Sequence, residues 1–347
     1  MSAGDQYAYD RADAPANALR LHLNEHTGGC SPAVTAALAA MTRETVAQYP
    51  DYARVTQAVA DDAGVPAARV LLTNGLDEGI VAVAMAQLRA QPEAVIPEPA
   101  FGMYANATEA VGGTVVRVMP GPDLSLDREA IAAAITPRTG VLFIATPGNP
   151  SGVSLTHDEI TWLASALPPG ALLLLDEAYI AFGGTSFLPH LDEWPNVAIG
   201  RTFAKAYGLA GVRAGAIIAR EDVIARLRRM IPPYSLNAFA ATALEAAIGD
   251  PAYVDAYRAE VAASRQLFYD ACDRWGLSYL RSDANFVLVR AGEKREAILA
   301  SLEARGIYVR DRHGQPGCDG CIRITTGLVA HTRACIDAME EILCAKA

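Results

Sequence analysis

The chain has 347 residues, about two typical domain lengths, and is 52% hydrophobic and 20% charged, which excludes a disordered or fibrous protein. Its formal net charge of −10 (29 Lys and Arg against 39 Asp and Glu) argues against a broadly basic nucleic-acid or membrane-surface binder, though a local basic pocket for a small anion is allowed. No apolar run reaches the roughly 18 residues of a membrane span, and the start, Met1 to Asp13, is polar with no signal-peptide core, so a soluble, cytoplasmic protein is expected.

In chain order, short apolar runs alternate with longer helical patterns. Val70–Thr73 reads as a strand and runs into Asn74-Gly75-Leu76-Asp77-Glu78, a turn opening the helix Glu78–Ala90, whose free N–H groups suit a phosphate. Ala94–Ile96 leads to Pro97-Glu-Pro99-Ala-Phe101, which can lay an aromatic ring over a flat ligand. Thr114–Val118 and the helix Asp127–Ile135 come next, then Val141–Ala145, followed by the polar turn Thr146-Pro-Gly-Asn149-Pro150-Ser-Gly152. After the helix His157–Ala166, the run Ala171–Leu175 ends on Asp176, with Glu177 and Tyr179 beyond it. Val197–Ile199 precedes Lys205, and Ala214–Ala219 completes the series. Strands alternating with helices predict an α/β fold with a mostly parallel sheet covered on both faces.

The pattern changes near Pro251. A long amphipathic helix, Pro251–Trp275, is followed by strand-like Ala284–Val289, the helix Arg295–Ala304, strand-like Gly306–Arg310 and Cys321–Thr325, and the helix His331–Leu343. We expect residues 1–40 to form an N-terminal arm and part of a small domain, 41–250 a large domain, and 251–347 a smaller α+β domain.

Of the 29 basic residues only three are lysines, Lys205, Lys294 and Lys346. The last two have ordinary surface readings. Lys205 stands in an apolar, glycine-rich segment without another charge until Arg213, and an ammonium there needs a partner. The six cysteines form no disulfide framework in a chain of this size. Cys318-x-x-Cys321 raises a zinc or redox reading, but Cys335 and Cys344 fall in the final helix rather than in a second knuckle, so a loop ahead of a strand is the simpler account. The histidines lack ligand spacing, so no metal is expected. G-x-G-x-x-G, the P-loop and G-x-S-x-G are absent from the sequence.

Ligands of open α/β sheets bind beyond the carboxyl ends of the strands. Taken singly, Asn74-Gly75 and Asn149-Pro150 are turn dipeptides, Phe101 is core and Asp176 is a helix cap. Together at one edge they supply a phosphate cradle, an aromatic stacker, a strand-end carboxylate and a near-unique lysine. That set fits pyridoxal phosphate, with lysine as Schiff-base partner and a buried carboxylate keeping the pyridine nitrogen protonated.

Asn149-Pro-Ser-Gly, Asp176-Glu-Ala-Tyr179 and Arg201-Thr-Phe-Ala-Lys205 through Arg213 resemble the signatures of class I/II (fold type I) aminotransferases. Leu23-Asn24-Glu25, Tyr49-Pro50-Asp51, Pro99-Ala-Phe101-Gly-Met-Tyr104, Pro232-Pro-Tyr234, and Gly306-Ile-Tyr-Val-Arg310-Asp through Arg323-Ile-Thr-Thr-Gly327 are most similar to the histidinol-phosphate aminotransferases among them. The resemblance implies Lys205 as the Schiff-base lysine and proton shuttle, Asp176 on the pyridinium nitrogen, Asn149 and Tyr179 on the phenolate oxygen, and Phe101 stacked on the ring. It implies the backbone of Leu76 and Asp77, the Thr202 hydroxyl and Arg213 on the cofactor phosphate. Tyr49 would reach that phosphate from a second subunit, hence a homodimer with shared active sites. Arg323 would clamp the substrate α-carboxylate, Arg310 a second, distal anion, and Asn24 would lie by the substrate. The implied reaction passes an amino group from histidinol phosphate to 2-oxoglutarate, in histidine biosynthesis. An aromatic aminotransferase on the same scaffold, or a decarboxylase or lyase on the same cofactor, is the alternative. Two departures stand out: Ala204 where the family usually has serine, and Asn24-Glu25-His26-Thr27 where it has Asn-Glu-Asn-Pro.

Overall fold

Residues 14–343 are described by a computed structural model; Cys344 and Lys346 lie outside the described residues. The strands are β1 (Leu19–Leu21), β2 (Val70–Asn74), β3 (Glu93–Pro97), β4 (Thr114–Val118), β5 (Thr139–Ala145) and β6 (Leu172–Asp176). They continue as β7 (Val197–Thr202), β8 (Ala214–Ile218), β9 (Ser278–Tyr279), β10 (Phe286–Arg290), β11 (Ile307–Asp311) and β12 (Cys321–Thr325).

Seven of them form one sheet in the order β2-β8-β7-β6-β5-β3-β4, parallel except for β8, which runs against both neighbours. Side chains alternate faces along a strand. Leu173 and Leu175 of β6 accordingly join one core, with Leu142, Ile199 and Leu244, while Leu172 and Leu174 join the other, with Phe143, Ile80 and Val83. Both faces are covered by helices, which is why β6 can be four leucines in a row.

The second sheet has the order β1-β11-β12-β10-β9. Its core packs Phe268 and Cys272 of the long helix Pro251–Trp275 against Val287, Ile324 and Met339. That helix opens on an Asp250 cap with Pro251 in its first turn and stops at Gly276, whose φ of +67° is the left-handed ending glycine adopts without strain.

Two strands were not anticipated. β1 pairs in parallel with β11 over three residues, and β9 has two; both are too short to carry a periodic pattern and exist because a neighbour's edge is there to receive them. The helix after β2 begins at Gly75 rather than Glu78, and the last begins at Val329 rather than His331. After β1 the chain crosses to the large sheet, where Val34 of the helix Pro32–Ala39 enters the core. The crossing carries Leu23 and Asn24 over the junction between the two sheets.

Candidate active site

The strand registers align the ends that matter. Ala145 of β5 pairs with Asp176, and Asp176 with Gly200 of β7, so the turns after β5, β6 and β7 open side by side. With the helix start after β2 and the edge of β11–β12, they enclose a cavity of about 620 Å³. Leu76, Asp77, Phe101, Asn149, Asp176, Tyr179, Thr202, Lys205 and Arg213 line it, as do Asn24, Arg310 and Arg323 from the crossing segment and small sheet. Tyr49 does not reach it. That ring is 78% exposed and stacks on Tyr234 at 4.3 Å between centroids.

Lys205 is half-buried, and its Nζ donates to the carbonyl of Leu23 at 2.8 Å. The ammonium therefore rests on a neutral acceptor at the cavity wall, 6.0 Å from the Tyr179 ring centroid. Tyr179 is buried, packs edge-on against Phe286, and accepts a hydrogen bond from Asn24 Nδ2 at 2.9 Å. Asn24 itself adopts φ +55°, which asparagine tolerates better than most residues. Bonds to Thr325 and from Asn285 Nδ2 hold it there.

Asp176 is buried at the end of its leucine run, and burial pushes its carboxyl up to about 6. Tyr104 Oη donates to Oδ2 at 2.6 Å and the Ala178 amide to Oδ1 at 3.0 Å; both bonds favour the carboxylate but do not offset its desolvation. Tyr104 is stacked on Phe143, and burial beside Asp176 holds its phenol far above the usual range, so it stays a donor.

At the opposite end, Arg213 Nη2 pairs with Asp77 at 2.8 Å and Nη1 donates to the Ala210 carbonyl. Gly75, at φ +72°, lets this guanidinium lie against the start of the helix: a Cβ there would fall 2.6 Å from Nη2. A cation over free helix N–H groups is an anion cradle. Arg323 is buried; Nη1 donates to Asn149 Oδ1 at 2.5 Å, Nη2 to the His22 carbonyl at 2.7 Å, and Cζ sits 5.2 Å from the Phe286 ring.

Among the cavity residues with no role in the sequence analysis are Tyr104, Arg312 and Gln315. Tyr104 had a usable signal, since it follows Phe101 by only three residues and stands in the first turn of the helix Met103–Ala110, just past Phe101. Arg312 and Gln315 sit in the irregular β11–β12 loop, where spacing carries no information.

The profile of the aminotransferase class I and II family matches residues 16–339. The chain belongs to that family. It is 36% identical to the histidinol-phosphate aminotransferase of Roseobacter denitrificans over 338 residues, 95% of this chain and 92% of that protein. It is 35% identical to that of Symbiobacterium thermophilum over 330 residues, 94% and 90% of the two chains. The crystal structure of histidinol-phosphate aminotransferase from Sinorhizobium meliloti in complex with pyridoxal-5′-phosphate superposes with a TM-score of 0.86 at 28% identity, covering 95% of this chain and 92% of that one. The fold-type-I architecture expected from the motifs is therefore the one present.

In this aminotransferase the altered segment 24–27 divides in two. Asn24, like Leu23 before it, lines the cavity, whereas His26 stacks 3.3 Å from the Tyr257 ring and lines a separate surface recess with Arg20 and His331. Burial lowers the His26 imidazole to about 4. The two residues of this segment that differ from the family pattern, His26 and Thr27, thus line the recess, whereas the other departure, Ala204, lines the cavity.

Proposed function

We propose that the chain is a pyridoxal-phosphate-dependent histidinol-phosphate aminotransferase, a cytoplasmic homodimer that passes the amino group of histidinol phosphate to 2-oxoglutarate. The observation that carries the reading is that Lys205, Asp176 and the Leu76–Asp77 and Arg213 cradle converge on one cavity of about 620 Å³, which Arg310 and Arg323 also line.

The residues fit the cofactor on their own chemistry. The poorly solvated Asp176 carboxyl calls for a cationic hydrogen-bond donor, which a protonated pyridine nitrogen is. The cradle at Gly75–Asp77 and Arg213, with the Thr202 hydroxyl, suits a phosphate. Phe101 supplies the ring face, and Asn149 and Tyr179 donate toward a phenolate oxygen. When bound, pyridoxal phosphate supplies an aldehyde that takes up the amino group and a ring that accepts the electron pair released at the substrate Cα. Lys205 would hold the cofactor covalently, and its Nζ would move the proton released at the substrate Cα. Asp176 holds the ring nitrogen protonated, and Tyr104 holds Asp176.

Histidinol phosphate has no carboxylate, so its phosphate is the anion offered to Arg323 and Arg310. 2-Oxoglutarate and glutamate bring two carboxylates, which the same pair accepts. The exposed Tyr49–Tyr234 stack supports a shared dimer site, Tyr49 serving the second subunit's cofactor phosphate. Comparing kcat/KM for histidinol phosphate, histidinol and phenylalanine tests the donor. A phosphate preference supports the reading, and a phenylalanine preference replaces it with an aromatic aminotransferase.

A further inference from the structure

The turn before β12 holds the one sequence motif that amino-group transfer leaves unused. Cys318 and Cys321 are both buried, while Asp319 between them is exposed. The Cys321 amide donates to the Cys318 carbonyl at 3.0 Å, closing a turn. Such turns hold their first and fourth Cα atoms within about 7 Å, and a disulfide needs roughly 4.4–6.8 Å. Cys321 Sγ donates to the Asp319 carbonyl at 3.8 Å, and with Leu288 the two cysteines form a small apolar cluster under the loop. Gly317 and Gly320, at φ +73° and +69°, give the backbone the reversals that turn both sulfurs inward. Cys318 alongside, with Arg290 nearby, holds the Cys321 thiol below its ordinary range, while the same contact and burial hold the Cys318 thiol far above it.

The turn is also tied to the substrate cavity. The Cys321 carbonyl accepts from the Arg312 amide at 3.0 Å, and the Cys318 amide donates to the Gln315 carbonyl at 2.9 Å. Arg312 and Gln315 line the cavity with Arg323, which lies two residues along β12 from Cys321.

We propose that Cys318 and Cys321 are a redox modification site, at which a small disulfide of the glutathione type converts the two thiols to an intraloop disulfide and shifts the rim of the substrate cavity. The Cys321 thiolate attacks one sulfur of the small disulfide, breaking its S–S bond and releasing one small thiol. Cys318 then gives up its thiol proton and attacks the Cys321 sulfur in the mixed disulfide, releasing the second small thiol. The protein loses two electrons and two protons, and the small disulfide becomes two thiols. Drawing the sulfurs to a bond of about 2.05 Å displaces the Cys321 carbonyl and the Cys318 amide, the two anchors of Arg312 and Gln315. The consequence is weaker substrate binding with the chemistry intact; this part rests on the proposed aminotransferase reaction.

The test equilibrates the holoenzyme in graded mixtures of oxidised and reduced glutathione, quenches with an alkylating agent in denaturant, and maps the peptides. The peptide with Cys318 and Cys321 should become about 2 Da lighter and escape alkylation, whereas in Cys318→Ser the remaining Cys321 should be alkylated or carry glutathione. The oxidised holoenzyme should show a donor KM raised about threefold or more with kcat within about twofold, restored by a dithiol and unchanged in Cys318→Ser. Both thiols persisting in fully oxidised glutathione would overturn the site. A disulfide that forms and leaves KM unchanged would overturn its link to the cavity. The mass measurement needs no substrate, so an error in the donor assignment would show separately, as absent turnover in the reduced enzyme.

Discussion

Arg310 and Arg323 occupy the same register position on adjacent antiparallel strands, directly opposite one another, and both line the cavity that also holds Lys205 and Asp176. Directly opposed residues project from the same side of a sheet with their Cβ atoms about 5 Å apart. Two guanidinium groups so placed repel each other, and an anion received between them relieves that repulsion while accepting donors from both. The sequence reading separated them into an α-carboxylate clamp and a distal anion site; the register makes them neighbours on one wall.

Lys205 is expected to carry the cofactor. Borohydride reduction of the holoenzyme followed by peptide mapping should place the pyridoxyl group on Lys205, and Lys205→Ala should lose covalent attachment and turnover. Labelling at Lys294, which lies in an exposed turn far along the chain from the cavity-lining segments, would remove the basis of the proposed chemistry.

The lysine and the carboxylate were legible because each breaks a local pattern: one cation in an apolar stretch, one acid at the end of four leucines. Asn24 was legible only through resemblance, because its left-handed backbone depends on Thr325 and Asn285, far along the chain. Tyr104 escaped because its partner, Asp176, is 72 positions away, and a tyrosine on a helix reads as core until its hydroxyl is seen to point at a carboxylate. Tyr49 is the opposite case. Its motif was legible, yet its own chain brings it to no site, because its proposed role needs a second copy.

Asp176 should make the cofactor-free protein less stable as pH rises. Its folded-state pKa, about 6, lies above the ordinary 3.8, so the folded state binds more protons in that window and stability falls from pH 4 to pH 6. Holding a carboxyl at about 6 instead of 3.8 corresponds to about 3 kcal/mol, and Asp176→Asn gives back about 1 kcal/mol by leaving one of its two donors without an acceptor. The apo variant should therefore exceed the parent by about 2 kcal/mol at pH 7.5 in urea unfolding, with the advantage gone by pH 4. In the holoenzyme the same variant should bind cofactor yet lose orders of magnitude in Cα–H exchange. An apo variant no more stable than the parent at pH 7.5 would contradict the uncompensated burial.

Tyr104→Phe deletes one donor to Asp176 without changing the ring stack on Phe143. The carboxyl should titrate at still higher pH, because the bond that favours its charged form is gone. Carboxyl infrared titration of the apo protein reads this directly. Turnover should fall about tenfold or more while cofactor still binds. An unshifted carboxyl titration would show that Tyr104 merely fills space.

Gly75→Ala tests the phosphate cradle. The new Cβ would meet Arg213 Nη2 at 2.6 Å on a backbone at φ +72°, so both the guanidinium and the helix start must move. Cofactor affinity should drop by at least about tenfold by equilibrium dialysis, with kcat at saturating cofactor close to the parent's. Unchanged affinity would place the phosphate elsewhere in the cavity.

On the proposed function, the pair on β11 and β12 is expected to decide the substrate. Arg323 is buried and braced by Asn149 and the His22 carbonyl, so its position is set before substrate arrives, whereas Arg310 is half-buried at the same register. In the proposed reaction, histidinol phosphate would offer both guanidiniums one phosphate dianion. For phenylalanine Arg323 takes the carboxylate, and Arg310 has no second anion to serve. Arg310→Ala should therefore cut kcat/KM for histidinol phosphate by about a hundredfold, while altering that for histidinol or phenylalanine by less than about threefold. Arg323→Lys should impair every donor, because an ammonium cannot reproduce the forked contact. If, in the parent enzyme, the phosphate raises kcat/KM by less than about tenfold over histidinol, roughly 1.4 kcal/mol, Arg310 does not read phosphate. The aromatic aminotransferase would then be the better description of the enzyme.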